Sequence, residues 1–153
     1  MLNLFRKKTV SLFTPEENAL VVNAIKSAEQ KTSGEVRVYI ESKCRFVDPL
    51  DRAVEVFHSL NMGTTEQRNA VLVYVAVKDR QLAVYGDEGI HQKVGNEFWD
   101  AAVKKMLSHF NANNYAQGIA TVVTEIGEAL QEHFPYDAHG DKNELPDDIV
   151  FGK

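Results

Sequence analysis

One apolar segment near the middle of the chain limits the folds that are open to it. Residues 70–77, Ala-Val-Leu-Val-Tyr-Val-Ala-Val, are the longest uninterrupted apolar run. A valine-rich run of this kind is typical of a strand covered on both faces. The polar residues 78–80 then lead into residues 81–85, so the two segments predict an antiparallel hairpin. A strand buried on both faces requires helices on both sides of its sheet.

The segments around this hairpin supply those helices. Apolar residues at helical spacing predict four helices, over about residues 14–31, 48–60, 96–110 and 114–134. The first two begin with the cap-then-proline pairs Thr14-Pro15 and Asp48-Pro49. Residues 35–40 alternate as a strand does. The order predicts an α/β fold, a three-layer αβα sandwich with a small mixed sheet of about four strands.

The two ends of the chain are expected to differ from this central domain. We expect residues 1–13 to form a flexible N-terminus and residues 14–134 to form the domain. Residues 135–153 are an acidic tail that we expect to dock as a loop and an edge strand, Ile149-Val-Phe151. The alternative for the tail is a solvated, disordered segment.

Charge and composition exclude several classes of function. With 22 acidic and 17 basic residues the formal charge is −5, which argues against nucleic acid as a partner because phosphate binding needs a basic face. A membrane helix needs roughly twenty apolar residues, so we expect no integral membrane contact. The N-terminal residues lack the order of a signal peptide, which predicts a cytoplasmic protein. Cys44 is the single cysteine, so an intramolecular disulfide is excluded.

The most informative tetrapeptide is Gly86-Asp87-Glu88-Gly89. We predict that it leaves the third strand and enters a loop before a helix. Calcium takes six to eight oxygen ligands from carboxylates, carbonyls and water, and glycines let the backbone carbonyls join them. The alternative for these four residues is a solvated turn.

A second acidic pair, Asp147-Asp148, precedes the predicted edge strand. If that strand runs parallel to the first, both acids arrive at the edge of the sheet that carries Asp87 and Glu88. Four carboxylates crowded there would repel one another unless a cation lay among them. The predicted metal ligands are therefore Asp87, Glu88, Asp147 and Asp148, with calcium as the ion and magnesium as the alternative. Glu35 or Glu66 from the same edge is the next candidate ligand.

Four motifs in chain order resemble the TPM domain, a family known from thylakoid-lumen repair proteins, bacterial membrane-anchored proteins and a worm receptor auxiliary subunit. They are Thr32-Ser-Gly-Glu-Val36, Arg68-Asn-Ala-Val-Leu-Val-Tyr-Val-Ala-Val-Lys-Asp-Arg80, Tyr85-Gly-Asp-Glu-Gly-Ile90 and Tyr115-Ala-Gln-Gly118. The resemblance covers about residues 14–134. It implies an αβα sandwich, binding of divalent metal with calcium as the usual ion, and the acid phosphatase activity ascribed to plant lumenal members.

The resemblance also assigns two residues and shows departures. The glutamate of the family's Tyr-Gly-x-Glu-Gly motif falls on Glu88, and the family's turn aspartate falls on Asp79, which can also simply shape the hairpin turn. Typical members carry a signal peptide, an acidic Asp-x-x-Gly segment before the first helix, and a C-terminal membrane helix or glycine-rich tail. Those features are not found in this sequence, and we expect residues 143–151 to substitute for the missing N-terminal ligand.

Three functions remain open at this point. The first is a calcium-binding regulatory module in which the metal orders two loops. The second is a metal-dependent acid phosphatase acting on phosphomonoesters, with Arg68 or Lys93 holding phosphate charge. The third is a metal-independent interaction domain that binds an unknown protein partner through its helix faces.

Overall fold

A computed structural model of the chain describes residues 13–136 and 149–152. The elements follow the order α1 (Pro15–Glu29), β1 (Glu35–Glu41), α2 (Pro49–Ser59), β2 (Ala70–Ala76), β3 (Gln81–Gly86), α3 (Glu88–Asn111), α4 (Tyr115–His133) and β4 (Ile149–Phe151). A short 3-10 helix, Met62–Thr64, lies between α2 and β2. Among the helices of these residues, none has the length and apolar character needed to cross a membrane.

The strands form one mixed sheet in the order β3-β2-β1-β4. β1 runs parallel to both β2 and β4, while β2 and β3 form an antiparallel pair. Every residue of β2 is buried, as expected for a strand covered on both faces. The predicted hairpin, the parallel crossover and the C-terminal edge strand are all confirmed.

Helices cover both faces of this sheet, so the predicted three-layer fold is confirmed. On one face α1, α3 and α4 pack on the alternate strand residues that include Val38, Val73 and Val84. On the other face α2 packs on the intervening residues, among them Leu72, Tyr74 and Ala83. The alternation follows from the two-residue period of a strand, which sends neighbouring side chains to opposite faces.

Two helix starts have the caps that the sequence predicts. Thr14 and Glu17 form a complete capping box at α1. The Asp48 side chain accepts a hydrogen bond from the Leu50 backbone N–H at 2.9 Å at the start of α2.

The start of α3 differs from the prediction. Asp87 is the N-cap of α3, so Glu88 and Gly89 lie in its first turn and not in a loop. Asp87 is a favourable cap because its side-chain oxygen accepts a backbone N–H of the first turn. The predicted start near Asn96 coincides with a kink at Gly95, whose φ of 76° interrupts the helix.

Candidate functional site

Three chain segments meet at the edge of the sheet where β1 and β2 begin and β3 ends. We call this the amino edge and define it by Glu35, Asn69 and Asp87. The backbone N–H of Glu35 donates to the carbonyl oxygen of Asn69 (N···O 3.3 Å), and that of Asp87 donates to the carbonyl oxygen of Ala70 (2.9 Å). The amino edge therefore brings Glu35 and Asp87 to the same end of the sheet, as the predicted topology requires.

Asp87 is a buried carboxylate held by an arginine. Its residue exposure is 1%, and its two oxygens accept from Nε and Nη2 of Arg68, each at 2.7 Å. One of these oxygens also accepts the backbone N–H of Glu88 at 2.8 Å. The hydrogen bond and the charge of Asp87 raise the pKa of Arg68. Asp87 thus caps a helix and forms the buried end of an ion pair.

The loop that carries Arg68 packs tightly on the first turn of α3. Arg68 has a positive φ of 52°, and its carbonyl oxygen accepts the backbone N–H of Ile90 at 3.3 Å. A Cβ atom added to Gly89 would lie 2.1 Å from the carbonyl oxygen of Gln67 and 2.6 Å from that of Arg68. Glycine is therefore required at position 89 by the close approach of two backbones.

Glu88 is placed differently from its neighbour Asp87. Its side chain is 65% exposed, and its Oε2 lies 3.9 Å from Nη1 of Arg68. The other oxygen accepts a hydrogen bond from Gln92 at 3.2 Å. Glu88 therefore presents a carboxylate to solvent beside the ion pair of Arg68 and Asp87.

A buried amide completes the amino edge. Asn69 is 1% exposed, its backbone N–H donates to Thr65 Oγ1 at 3.3 Å, and its Nδ2 donates to Ser33 Oγ at 3.4 Å. Its Oδ1 is buried and accepts no hydrogen bond from the described residues. A buried oxygen without a donor is costly, and it is also the kind of atom that a hard cation takes as a ligand.

The structure describes two of the four predicted ligands. Asp87 and Glu88 lie side by side at the amino edge with buried Glu35, and Glu66 is exposed in the preceding loop. Asp147 and Asp148 lie outside the described residues, although β4 begins at Ile149 opposite Val38 and runs in the predicted direction. Within residues 13–136 and 149–152, no group of three His, Cys, Asp or Glu side chains is arranged to hold a metal. The four-carboxylate cluster therefore stays a prediction.

The opposite end of the sheet carries a polar cluster that sequence reasoning missed. Glu41 ends β1 and is buried, and its two oxygens accept from Nε and Nη2 of Arg52, each at 2.9 Å. The hydroxyl of Tyr74 donates to the same carboxylate. A tyrosine inside a fully apolar strand was the available signal, because a buried phenol hydroxyl needs a partner.

The buried environment shifts the pKa values of these groups. Burial alone would raise the pKa of Glu41, but the hydrogen bonds from Arg52 and Tyr74 outweigh it and leave that pKa below its ordinary value. Burial, followed by the hydrogen bond to Glu41, raises the pKa of Tyr74. The cluster is therefore an ionised carboxylate held between a cation and a neutral phenol.

Asp79 lies at this same end, far along the sheet from Asp87. Its Oδ2 accepts the backbone N–H of Cys44 at 2.7 Å. The side chain thus ties the β2–β3 hairpin turn to the loop that follows β1.

Comparison with known proteins agrees with this fold. The TPM domain family matches residues 7–129. The NMR structure of the BA42 protein from the psychrophilic bacterium Bizionia argentinensis is similar with a TM-score of 0.83 and 41% identity, over 92% of this chain and 95% of that one. The N-terminal domain of the cg2496 protein from Corynebacterium glutamicum has a TM-score of 0.57 at 13% identity, over 90% of this chain and 80% of that one, and so shares the fold alone.

No curated protein gives a significant match. The family match spans most of the chain, and the BA42 structure covers nearly all of it. The chain therefore belongs to the TPM domain family.

Proposed function

We propose that this TPM domain is a calcium-binding regulatory module, with magnesium as the alternative ion. The ion would join Asp87 and Glu88 at the amino edge to Asp147 and Asp148 from the C-terminal segment. The observation that supports this proposal is the state of Asp87, a buried carboxylate whose charge is balanced by an arginine with a 49% exposed side chain. A counter-ion at the surface can be exchanged for another cation.

The oxygen atoms at the amino edge are of the type that calcium prefers. Glu88 offers an exposed carboxylate, and the Oδ1 of Asn69 is a buried amide oxygen without a hydrogen-bond donor. The oxygen atoms of these residues and of Asp87 are the type of ligand that a hard cation takes. They are too few to surround calcium, which takes six to eight oxygens. Asp147 and Asp148 are the residues that we propose complete the ligand set.

Calcium would compete with Arg68 for the Asp87 carboxylate. Both oxygens of Asp87 accept from Arg68, so a bound ion requires the guanidinium group to move into solvent. The exchange would change the charge presented at the amino edge and order the C-terminal acids, which gives a partner two states to distinguish. Binding to the folded state alone would also stabilise the domain by mass action.

A thermal titration tests the proposal. We expect the melting temperature of the full chain to rise with millimolar calcium, and less with magnesium. The variant Asp147→Asn/Asp148→Asn should lose this response, whereas the control variant Glu128→Gln/Glu132→Gln, which changes two exposed acids of α4, should keep it. A wild-type melting temperature that does not respond to millimolar calcium would contradict the proposal.

The competition with Arg68 gives a second test. Asparagine tolerates the left-handed backbone that Arg68 adopts with φ 52°, so Arg68→Asn removes the guanidinium with little backbone strain. We expect calcium to bind this variant about tenfold more tightly, because the competing cation is gone. Calorimetry measures the difference, and an unchanged or weaker affinity would show that Asp87 is not a ligand.

The phosphatase alternative has weaker support. Arg68 would be needed to hold phosphate charge, but Asp87 engages its guanidinium through two hydrogen bonds. The assay is phosphate release from an aryl phosphate by the metal-loaded protein. Release above that of a Glu88→Gln control would favour the phosphatase over the regulatory module.

A further inference from the structure

The outer edge of β3 carries a row of backbone hydrogen-bonding groups that no described strand pairs with. β3 is the terminal strand of the sheet in the described part of the chain. The backbone N–H of Asp87 donates towards β2, to Ala70. Because the direction alternates along an antiparallel strand, residues 82, 84 and 86 point their N–H and C=O groups away from β2.

The sequence of β3 lacks the features that usually prevent another strand from pairing with an edge. Edge strands are commonly protected by charged side chains, proline, bulges or very short length. β3, Gln-Leu-Ala-Val-Tyr-Gly, has no charge and no proline, and its register with β2 is unbroken over six residue pairs. β4 at the other edge has only three residues. Leu82, Ala83 and Val84 are at most 5% exposed, so the unpaired outer edge of β3 forms the floor of a recess and not an open surface.

A groove of about 760 Å³ follows this edge. The start of α2 forms one wall and α3 forms the other, because these helices cover opposite faces of the sheet. We call it the β3 groove, and its lining is apolar at Leu50, Trp99 and Val103. Leu50 is one of the few large apolar side chains that the fold leaves exposed.

The rim of the β3 groove is acidic. Asp48 lies on the α2 wall, and Glu88 and Asp100 lie at the α3 wall. All three are exposed. The groove also contains Arg68, but Asp87 balances its charge. The rim therefore favours a positively charged occupant.

We propose that the β3 groove binds an extended basic peptide segment of a partner protein by strand addition. The backbone of the segment would pair with the outward groups of residues 82, 84 and 86. Its alternate side chains would face α3 and α2, because neighbouring residues of an added strand point to opposite faces of the sheet. Apolar side chains fit Trp99 and Val103, and lysine or arginine fits the acids of the rim.

The test uses a labelled ten-residue peptide of alternating lysine and valine, with calcium removed by a chelator so that the result is independent of the metal proposal. We expect saturable binding by fluorescence anisotropy and amide shift changes in the full chain at residues 82–86. The amides of residues 82, 84 and 86 should also become protected from hydrogen exchange. Binding that leaves these amides unchanged would overturn the proposal.

Two further peptides separate strand addition from simple charge attraction. A lysine–valine peptide methylated on alternate backbone nitrogens keeps its charge but loses donors, so it should bind at least about tenfold more weakly. A glutamate–valine peptide should not bind detectably. Equal binding of the methylated peptide would mean electrostatic contact only and would overturn the proposal.

Matched variants test the location. Asp100→Lys should weaken binding of the lysine–valine peptide about fivefold. Glu97→Lys makes the same charge change at an exposed residue of α3 outside the groove lining and should have a smaller effect. Equal effects of the two variants would contradict the groove. Dimers in sedimentation experiments whose contact protects residues 82–86 would assign this edge to a second copy of the chain instead.

Discussion

At the scale of single residues, hydrogen bonds from two other elements converge on Glu41. This buried carboxylate accepts two hydrogen bonds from Arg52 and one from Tyr74. A buried ion pair adds little net stability over apolar packing, but removing one partner leaves the other charge unpaired at a high cost. The cluster should therefore be sensitive to truncation of the cation.

Arg52→Met keeps much of the arginine volume but removes the positive charge. We expect it to lower the free energy of unfolding by about 2 kcal/mol, since the Arg52 side chain is part-exposed and solvent can partly replace it. Tyr74→Phe removes a single hydrogen bond to a charged group and should cost about 1.5 kcal/mol. Urea unfolding of both single variants and the double variant measures the coupling, and strictly additive losses would contradict a shared carboxylate.

The lowered pKa of Glu41 also predicts a pH dependence. A carboxyl with a lower pKa in the folded than in the unfolded chain stabilises the fold when ionised. That contribution is present above the ordinary value of 4.5 and is lost as the pH falls through the lowered pKa. We expect the stability gap between wild type and Glu41→Gln to shrink as the pH is lowered from about 6 to about 3. Urea unfolding at each pH measures the gap, and a gap that stays constant over this range would contradict the prediction.

At the scale of elements, the start of α3 depends on one close backbone approach. Gly89→Ala would place a Cβ atom 2.1 Å from a carbonyl oxygen of the preceding loop. Backbone atoms cannot move aside as a flexible side chain can, so we expect a loss of about 2 kcal/mol or more in stability. Gly63→Ala is the control, because its Cβ would meet Phe57 at an ordinary 3.6 Å. A loss for Gly89→Ala as small as that for Gly63→Ala would show that α3 can shift to make room for the added Cβ atom.

The sequence could predict those elements whose signals are local. The caps at Thr14 and Asp48 and the apolar run of β2 marked α1, α2 and the central strand correctly. The start of α3 was missed because Gly89 and Gly95 look like loop residues. In the structure, Gly89 is needed because the backbone of the distant residue Gln67 leaves no room for a Cβ atom. Gly95 lies at a kink within the helix. Contacts between distant residues leave no periodic trace in a sequence.

The sequence could predict which of these residues share the amino edge, but not how their side chains pair. Strand directions alone correctly brought Glu35, Asp87 and Glu88 to one edge of the sheet. The pairing of Arg68 with Asp87 was not foreseen, because it depends on the left-handed backbone at Arg68 and on the loop that carries it. The same limit applies to the cluster of Glu41, whose partners lie on two other elements.

At the scale of the whole molecule, the two ends of the described chain meet beside β1. Phe13 is buried, and its ring packs edge-on against Phe151 of β4 with 6.5 Å between ring centroids. β4 pairs with residues 38–40 of β1. The last strand therefore contributes to the main core and closes one side of the sheet.

A charge placed in β4 tests this contribution. Ile149 is buried in the main core, so Ile149→Asp should lower the free energy of unfolding by about 3 kcal/mol through an unpaired buried carboxylate. Val47→Asp introduces the same side chain where the residue is 100% exposed and should change stability by less than about 0.5 kcal/mol. Urea unfolding compares them, and an equally small loss for Ile149→Asp would mean that β4 adds little to the fold.

The pairing of β1 with β4 joins residues 38–40 to residues 149–151, which are 111 positions further along the chain. During synthesis on the ribosome, β1, β2 and β3 all emerge before β4 can reach its place. Until β4 leaves the exit tunnel, the outer edge of β1 would have no strand to pair with, so the sheet can be completed only after that point. Nascent chains halted just before Ile149 should therefore be the form most exposed to chaperones and to unwanted strand pairing.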